Sequence, residues 1–429
     1  MNYAQAVSFH ESAKDYGSIL GLSGIKELMH ELNDVWKELK IVHIAGTNGK
    51  GSVSCFLASV LKEAGYLVGQ FNSPAVFDLR EVYQINQTWI SKEEYASCME
   101  EVAASCKKMT EKGRRHPTVF EVETALAFLW FYRRKCDIVL LETGMGGSTD
   151  ATNIIQKPLC SVFVSIQMDH MAFLGNTLRE IAKIKAGIIK DDCPAVTVRQ
   201  PKEVETVLRQ TANARHAAFY TVPELPEGII ENDRLCYPYP DFGKICLSMT
   251  GNYQIENSAL AIATLQVLRE AGFSCTDSQI KKGIESAKWA GRFECLGENP
   301  CFYIDGAHNP AAAGQLAKSL SRQFQDYRKI GIMGVMADKN YGEMLDILLP
   351  YFQKIYTVTP DQIRSLPAET LAQEIKNRGG AAWAKDSIYE AVAAAVTEAS
   401  EDSSCMTAAF GSLYFLNEVK QIFYEITGR

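Results

Sequence analysis

A glycine-rich segment with one lysine and one serine is the part of the chain whose residue types most clearly suggest chemistry. It runs from Gly46 to Ser52 as Gly-Thr-Asn-Gly-Lys-Gly-Ser. Glycines let backbone N–H groups close around phosphate oxygens, Lys50 can reach the outer phosphates, and the Ser52 hydroxyl can ligate Mg²⁺. Residues 41–45 predict a buried strand and residues 52–64 a helix. Strand, glycine loop and helix together predict a phosphate-binding loop.

The match to the general phosphate-loop pattern is not literal. That pattern places Ser or Thr directly after Lys, whereas here Gly51 stands between Lys50 and Ser52. The alternative is an ordinary glycine turn between a strand and a helix. The context favours phosphate binding, because the N-terminus of the following helix adds partial positive charge.

Three more apolar segments predict buried strands, and each leads into polar residues. The segments are 66–71, 136–141 and 159–166. Ser73, Glu142 and His170 follow these segments in turn. Helices are predicted over 91–110 and 118–134, between the first and the second segment. Strands alternating with helices predict a parallel sheet. Ligands bind outside the carboxyl ends of such strands, so we expect these three side chains to meet the glycine loop in one crevice.

The three strand-end residues have side chains that can bind a metal ion. A carboxylate beside a phosphate loop suits Mg²⁺, and the alternative for Glu142 is a turn or helix cap. The Ser73 hydroxyl is a candidate second oxygen ligand, and its alternative is a turn residue before Pro74. We expect His170 to be a metal ligand because of the shared edge, although a lone histidine is more often structural.

Lys185 has an unusual position in a predicted helix. At helical spacing it falls in the middle of the apolar stripe of residues 177–189. One interpretation is snorkelling, in which the stem is buried and the ammonium reaches water. A carbamate on the lysine nitrogen is the other interpretation, because it would turn a repelled cation into an oxygen ligand for metal. The pattern allows both.

The C-terminal part of the chain predicts a second, smaller α/β domain. Strands are predicted at 302–305, 329–335, 354–358 and 406–410. Arg292 suits phosphate or domain-closure contacts, and Asp305 at a strand end could bind a ribose hydroxyl or act as a turn cap. We predict a P-loop ATPase domain with a mostly parallel sheet over residues 1–291. A Rossmann-like α/β domain is predicted over 292–429.

Composition limits the class of protein. A chain of 429 residues predicts two domains. The formal net charge of −7 argues against nucleic acid as the main partner. The 12 cysteines are scattered without a C-x-x-C pair, which predicts reduced thiols in a cytoplasmic protein. The polar N-terminus is not a signal peptide, and no apolar run reaches the roughly 18 residues that a membrane span needs.

Several short motifs occur in a characteristic order along nearly the whole chain. They are residues 21–22, 43–52, 71–74, 120–125, 142–147, 150–153, 169–170, 174–178, 185–188, 291–294, 305–310 and 411–414. Together they resemble the folylpolyglutamate synthase/dihydrofolate synthase family, within the Mur ligase superfamily of ATP-dependent amide ligases. So many motifs in order are more specific than any one of them.

The resemblance implies a monomeric ligase that binds ATP between two domains with two Mg²⁺ ions, and it allows a monovalent cation. The implied nucleotide-binding residues are Asn48, Gly49, Lys50, Gly51, Ser52, Asn257, Arg292 and Asp305, with His308 nearby. The implied metal ligands are Ser52, Ser73, Glu142 and His170. Lys185 would be carbamylated and would act in catalysis with Lys50 and His170. The implied substrates are ATP, L-glutamate and a folate or dihydropteroate, whose carboxylate would be activated as an acyl phosphate.

Four positions depart from the usual pattern of this family. Ala75 stands in place of His, Val82 in place of Arg, Ser148 in place of Arg and Ile184 in place of Glu. The family resemblance associates these four positions with binding of the acyl substrate more than with binding of the nucleotide. A nucleotide-binding relative without ligase activity is therefore the alternative. A peptidoglycan-type Mur ligase is a weaker one, because the 45 residues before Gly46 are too few for a UDP-sugar-binding domain.

Overall fold

The computed structural model describes all 429 residues and divides into two compact units. The first unit comprises Met1–Pro226, Pro238–Ile245 and Ile255–Ala287. The second comprises Glu227–Tyr237, Cys246–Gln254 and Lys288–Arg429. The boundary predicted between residues 291 and 292 falls near the start of the last of these segments and stays a prediction.

The chain forms fifteen α-helices and seventeen strands. The helices are α1 Tyr3–Ala13, α2 Ser23–Glu31, α3 Lys50–Glu63, α4 Lys92–Glu111, α5 Val119–Arg133, α6 Met171–Leu174, α7 Leu178–Ala186, α8 Lys202–Ala214, α9 Gln254–Glu270, α10 Asp277–Ser286, α11 Pro310–Gln323, α12 Tyr341–Leu348, α13 Ala368–Asn377, α14 Ile388–Glu401 and α15 Leu416–Thr427. The strands are β1 Ile41–Ala45, β2 Val68–Phe71, β3 Tyr83–Ile85, β4 Thr88–Trp89, β5 Ile138–Glu142, β6 Cys160–Phe163, β7 Ala195–Thr197, β8 Phe219–Thr221, β9 Ile229–Glu231, β10 Arg234–Tyr239, β11 Gly243–Leu247, β12 Glu294–Glu298, β13 Cys301–Ile304, β14 Arg328–Met333, β15 Lys354–Thr357, β16 Ala382–Ala384 and β17 Cys405–Phe410.

The first unit is built on an eight-stranded sheet of order β4-β3-β2-β5-β1-β6-β7-β8. The six strands from β2 to β8 in that order are parallel, and β3 and β4 form an antiparallel edge. The chain runs from β1 to β2 on one side of β1 and later to β6 on the other. The order therefore reverses at β1, and the carboxyl end of β1 is where a ligand crevice is expected.

The residues of these elements explain their positions. Strands β1, β5 and β6 are buried along their whole length, as expected for parallel strands covered on both faces. The Thr118 hydroxyl accepts the N–H of Glu121, and Thr177 accepts that of Glu180. These capping boxes fix where α5 and α7 begin. The fixed start of α7 decides which of its residues face the core, and Lys185 is one of them.

The second unit contains a six-stranded sheet of order β12-β13-β17-β14-β15-β16. All neighbours are parallel except the antiparallel pair β12 and β13. Asn309 caps α11, and Pro310 occupies its first turn, where a missing N–H costs nothing. The predicted pair of α/β domains, a larger one with a mostly parallel sheet and a smaller C-terminal one, is confirmed.

The structure differs from the sequence prediction mainly between residues 192 and 250. This proline-bearing stretch has no predicted helix or strand, but it contains β7, α8, β8 and a three-stranded sheet of order β11-β10-β9, in which β9 and β10 are antiparallel. These strands are three to six residues long, too short for a clear period in the sequence.

The expectation of reduced thiols throughout is wrong for one pair. Cys236 and Cys246 form a disulfide, with Cα atoms 4.1 Å apart. They lie on β10 and β11, neighbouring strands of one sheet, and that pairing brings together cysteines ten residues apart in sequence. No C-x-x-C spacing marks them. The other ten cysteines are free.

None of the helices is both long and apolar enough to cross a membrane.

Close packing of α10 on α3 gives a testable prediction. A Cβ placed on Gly283 would lie 2.5 Å from the Cα atom of Val60, so Gly283→Ala forces the two helices apart. We expect a loss of about 1–3 kcal/mol in unfolding free energy, measured as a lower midpoint of thermal unfolding. Gly314→Ala in α11 is the control, because its Cβ would meet nothing within 4 Å. It should stabilise by about 0.5–1 kcal/mol, and an equal effect of both variants would contradict the packing argument.

Candidate active site

The glycine loop turns tightly between β1 and α3. Gly49 has a φ of 105°, a left-handed conformation that side chains strongly disfavour. A Cβ there would also lie 2.5 Å from Oδ1 of Asn257. Helix α3 begins at Lys50, two residues before the predicted start at Ser52. Asn257, predicted to bind nucleotide, therefore lies against the loop in the first unit.

Lys50 and Glu142 face each other at this edge of the sheet. Their Nζ and Oε1 atoms are 3.6 Å apart, and the side chains are 14% and 6% exposed. Glu142 is the last residue of β5, which pairs directly with β1. The Lys50 ammonium also lies 3.2 Å from the carbonyl oxygen of Thr47. A buried carboxylate and a lysine thus stand beside a glycine loop, as predicted from the strand ends.

The other predicted metal ligands occupy different environments. Ser52 is buried, whereas Ser73 is half-buried and follows β2, the neighbour of β5. His170 is exposed, with a φ of 50° just before α6, and β6 already ends at Phe163. The expectation that His170 directly follows the strand is therefore wrong, because β6 is shorter than its apolar segment.

The donor set limits what metal the site can hold. No group of three or more His, Cys, Asp or Glu side chains forms a metal-binding cluster in the structure. Mg²⁺ bound with a phosphate substrate needs only one or two carboxylates. The Glu142 carboxylate with the Ser52 and Ser73 hydroxyls fits that requirement, because all three are hard oxygen donors. The predicted roles of these residues and of His170 stay predictions.

Lys185 is buried, with 4% of its surface exposed. Its Nζ donates to the carbonyl oxygen of Gly46 at 2.7 Å. The snorkelling interpretation is therefore wrong, because the amine points into the glycine loop. Burial lowers the pKa of Lys185 to about 7, the charge of Lys50 lowers it too, and Asp169 and Asp150 act in the opposite direction. A large fraction of the Lys185 amine is therefore neutral near neutral pH.

The loop after Glu142 holds Lys185 in place. Asp150 accepts N–H bonds from Met145 at 2.7 Å and Thr152 at 3.0 Å. A Cβ on Gly147 would lie 2.8 Å from the Cα atom of Lys185, so only glycine allows the loop to approach α7 this closely. Burial raises the pKa of Asp150, while its hydrogen bonds favour the charged form that the loop needs.

The second unit carries the remaining predicted nucleotide-binding residues. Asp305 directly follows β13 and accepts bonds from the Tyr253 hydroxyl at 2.9 Å, Phe293 N–H at 2.8 Å and Ala307 N–H at 2.8 Å. Burial raises its pKa, and the charge of Arg292 opposes that shift. These contacts make Asp305 an organiser of its own loop, and its contact with ribose stays a prediction.

The remaining residue, His308, lies in the same loop of the second unit. Its Nδ1 is 2.8 Å from the carbonyl oxygen of Gly306. A Cβ on Gly306 would lie 2.5 Å from a guanidinium nitrogen of Arg292, so Arg292 and this loop are in close contact.

Three residues that shape this site have no role predicted from the sequence. Asn72 donates to Glu142 Oε2 at 2.9 Å, Asp150 fixes the loop after Glu142, and Gly147 admits Lys185. Each stands in a motif used for the family resemblance. The contacts of Asn72 and Gly147 join segments distant in sequence, and those of Asp150 lie within an irregular loop, so spacing alone gave no signal for them.

Family models match both parts of the chain. The Mur ligase middle domain matches residues 44–265, and the glutamate ligase domain of Mur ligases matches residues 291–411. Characterised relatives match over almost the full length. The chain is 34% identical to the dihydrofolate synthase/folylpolyglutamate synthase of Bacillus subtilis (strain 168) and 31% identical to the folylpolyglutamate synthase of Lacticaseibacillus casei. Each alignment covers 98% of both proteins.

Solved structures show the same similarity. Folylpolyglutamate synthase of Mycobacterium tuberculosis, complexed with ADP, superposes with a TM-score of 0.90 at 26% identity, over 98% of this chain and 99% of that one. FolC of E. coli, in complex with DHPP and ADP, has a TM-score of 0.86 at 26% identity, covering 100% and 99%. The chain therefore belongs to the folylpolyglutamate synthase/dihydrofolate synthase family of Mur ligases.

Proposed function

We propose that this protein is an ATP-dependent ligase that joins L-glutamate to the carboxylate of a folate or of dihydropteroate. The observation that carries the proposal is the pairing of Lys50 with Glu142 beside a glycine loop, at the point where the strand order of the sheet reverses. Full-length similarity to enzymes named for this reaction supports the choice of substrates.

The reaction has two displacement steps. A substrate carboxylate oxygen attacks the γ-phosphorus of ATP, the bond from that phosphorus to the β,γ-bridging oxygen breaks, and ADP leaves. The amine of L-glutamate then attacks the carbonyl carbon of the acyl phosphate. The carbon–oxygen bond to phosphate breaks, phosphate leaves, and the nitrogen loses a proton to form the amide. Positioning and charge neutralisation suffice for such chemistry, so no covalent nucleophile is required.

Each predicted site residue has a role in this reaction. The N–H groups of the loop from Asn48 to Ser52 hold phosphate oxygens at the start of α3, and the Lys50 ammonium balances the γ-phosphoryl charge. Glu142, with Ser52, Ser73 and His170, would hold Mg²⁺, which supplies further positive charge to the triphosphate when bound. Asn257, Arg292, Asp305 and His308 would bind the nucleoside, as the family resemblance implies. A monomeric state and a cytoplasmic location remain predictions.

Lys185 is suited to carbamylation. The neutral amine attacks CO₂, a carbon–nitrogen bond forms, and one proton is released. A buried ammonium beside Lys50 is unfavourable because like charges repel in a desolvated site, whereas a carbamate is anionic and attracts Lys50. We therefore propose that carbamylated Lys185 would provide an oxygen ligand for the metal ion that binds with the phosphates. A monovalent cation stays an expectation from family resemblance.

The acceptor substrate defines the first prediction from the proposed function. Purified protein with ATP, Mg²⁺ and L-glutamate should release ADP and yield a glutamylated product with dihydropteroate, a reduced folate or both, detected by mass spectrometry. Omission of L-glutamate is the control, because no amide can then form. ATP binding without product across the acceptor panel would instead support a relative without ligase activity.

The Lys50–Glu142 pair gives the second prediction. Lys50→Ala and Glu142→Ala should each lower kcat about a hundredfold or more. Lys50→Ala removes positive charge from the reacting phosphates, and Glu142→Ala removes the carboxylate proposed to hold Mg²⁺ beside them. Circular dichroism should show an unchanged fold. Lys62→Ala is the matched control, since Lys62 is an exposed lysine near the end of the same helix. Near-normal kcat in both site variants would contradict the assignment.

Lys185 gives the third prediction. Because its pKa lies near 7, the neutral fraction that reacts with CO₂ falls as pH drops below about 7 and is nearly complete above about 8. ¹³C NMR of protein equilibrated with labelled bicarbonate should show a carbamate signal at pH 8 that weakens at pH 6. Lys185→Ala should lack the signal and lose activity, with partial recovery from a small added carboxylate. An identical signal in Lys185→Ala would place the carbamate elsewhere.

A further inference from the structure

A chain of four buried polar side chains ends on the Glu142 carboxylate. Gln70 Nε2 lies 3.3 Å from Ser54 Oγ, Ser54 Oγ lies 3.3 Å from Asn72 Oδ1, and Asn72 Nδ2 lies 2.9 Å from Glu142 Oε2. All four residues are at most 5% exposed. Buried polar side chains that are hydrogen-bonded to one another give a defined local arrangement, and three bonds join these four residues in series.

The direction of the hydrogen bonds follows from the chemistry of the last member. A carboxylate only accepts, so Asn72 must turn its amide N–H toward Glu142 and its Oδ1 toward Ser54. Ser54 has one hydroxyl proton and donates it to Asn72. The Ser54 oxygen then accepts from Gln70 Nε2, whose own Oε1 is buried without a partner. The three hydrogen bonds therefore run in one direction, from Gln70 to Glu142, and the last of them is accepted by Oε2 of the carboxylate.

The chain links the three segments that carry the candidate oxygen ligands. Ser54 lies on α3, two residues after Ser52. Asn72 immediately precedes Ser73, and its own N–H donates to the carbonyl oxygen of Val82 at 3.1 Å. The other Glu142 oxygen, Oε1, is the one 3.6 Å from Lys50 Nζ. The two carboxylate oxygens thus have different surroundings, one within the protein and one toward the glycine loop.

We propose that Ser54 and Asn72 are positioning residues that hold Glu142 by Oε2, so that Oε1 is presented to the metal ion on the phosphates. This inference rests on the proposed function, because it takes Glu142 as a Mg²⁺ ligand. Both side chains are buried, and we propose that they act through Glu142 and not on the substrate. Removal of a partner that orients a metal ligand typically weakens metal binding or activity by about 10–100-fold.

The test measures metal binding directly, without turnover. Mn²⁺ replaces Mg²⁺ as a paramagnetic probe, and the full-length protein is saturated with an ATP analogue that carries a methylene group between the β- and γ-phosphorus atoms. The signal of free Mn²⁺ in electron paramagnetic resonance gives the dissociation constant. We expect Ser54→Ala and Asn72→Ala each to raise it about tenfold, and to raise the Mg²⁺ concentration for half-maximal ADP release similarly.

Ser59→Ala is the matched control. Ser59 is a second buried serine of α3, and its hydroxyl donates to the carbonyl oxygen of Gly283 at 2.7 Å. Its loss should lower thermal stability as Ser54→Ala does but leave the Mn²⁺ dissociation constant within twofold of wild type. Ser54→Ala removes a single oxygen atom, so it carries the test if Asn72→Ala fails to fold.

The outcomes separate this inference from the function it rests on. Wild-type Mn²⁺ affinity in the folded Ser54→Ala variant would overturn the positioning role and leave the ligase proposal intact. Absence of nucleotide-dependent Mn²⁺ binding in the wild type would overturn both. A tenfold loss in Ser59→Ala as well would also overturn the positioning role, because the effect would then follow from any damage to α3.

Discussion

The charge balance at the carboxyl end of β1 is the constraint on which the site depends. Lys50, Glu142 and Lys185 lie in a desolvated region, where an unpaired charge is costly. Glu142 lies near Lys50, but a second ammonium on Lys185 would have no comparable partner. Burial and the charge of Lys50 lower the pKa of Lys185 to about 7, so a large fraction of the amine is neutral near neutral pH. The same solution makes that amine reactive toward CO₂.

The site also requires that the backbone come very close to neighbouring residues at two points, and a glycine allows this at each. Gly49 takes a left-handed conformation against Asn257, and Gly147 lets the loop after β5 touch the backbone of Lys185. Around them, Asp150 and the chain from Gln70 to Glu142 use hydrogen bonds to hold loops that have no regular structure. Hydrogen bonds between buried polar groups thus hold these loops, as polar interiors require, although Oε1 of Gln70 is buried without a partner.

Much of this arrangement could be predicted from the sequence because it follows from local rules. Alternating strands and helices predicted the parallel sheet, and the strand ends placed Ser73 and Glu142 on the edge shared with Lys50. Helical spacing placed Lys185 in an apolar stripe, but it left open whether the amine reaches water, which the bond to Gly46 answers. The contact between Asn72 and Glu142 could not be predicted, since it joins residues 70 apart. The Cys236–Cys246 disulfide and the position of His170 depend on strands whose short lengths leave no clear period.

The central claim is that nucleoside triphosphate and divalent metal meet between Lys50 and Glu142. Its most direct test is a crystal structure of the protein with Mn²⁺ and a non-hydrolysable ATP analogue, with the metal located by anomalous scattering. We expect a metal peak at roughly 2.1 Å from Glu142 Oε1, the terminal phosphate at hydrogen-bond distance from Lys50 Nζ, and Asn72 still bonded to Oε2. Phosphates bound away from the glycine loop, or a metal with no contact to Glu142, would contradict the account.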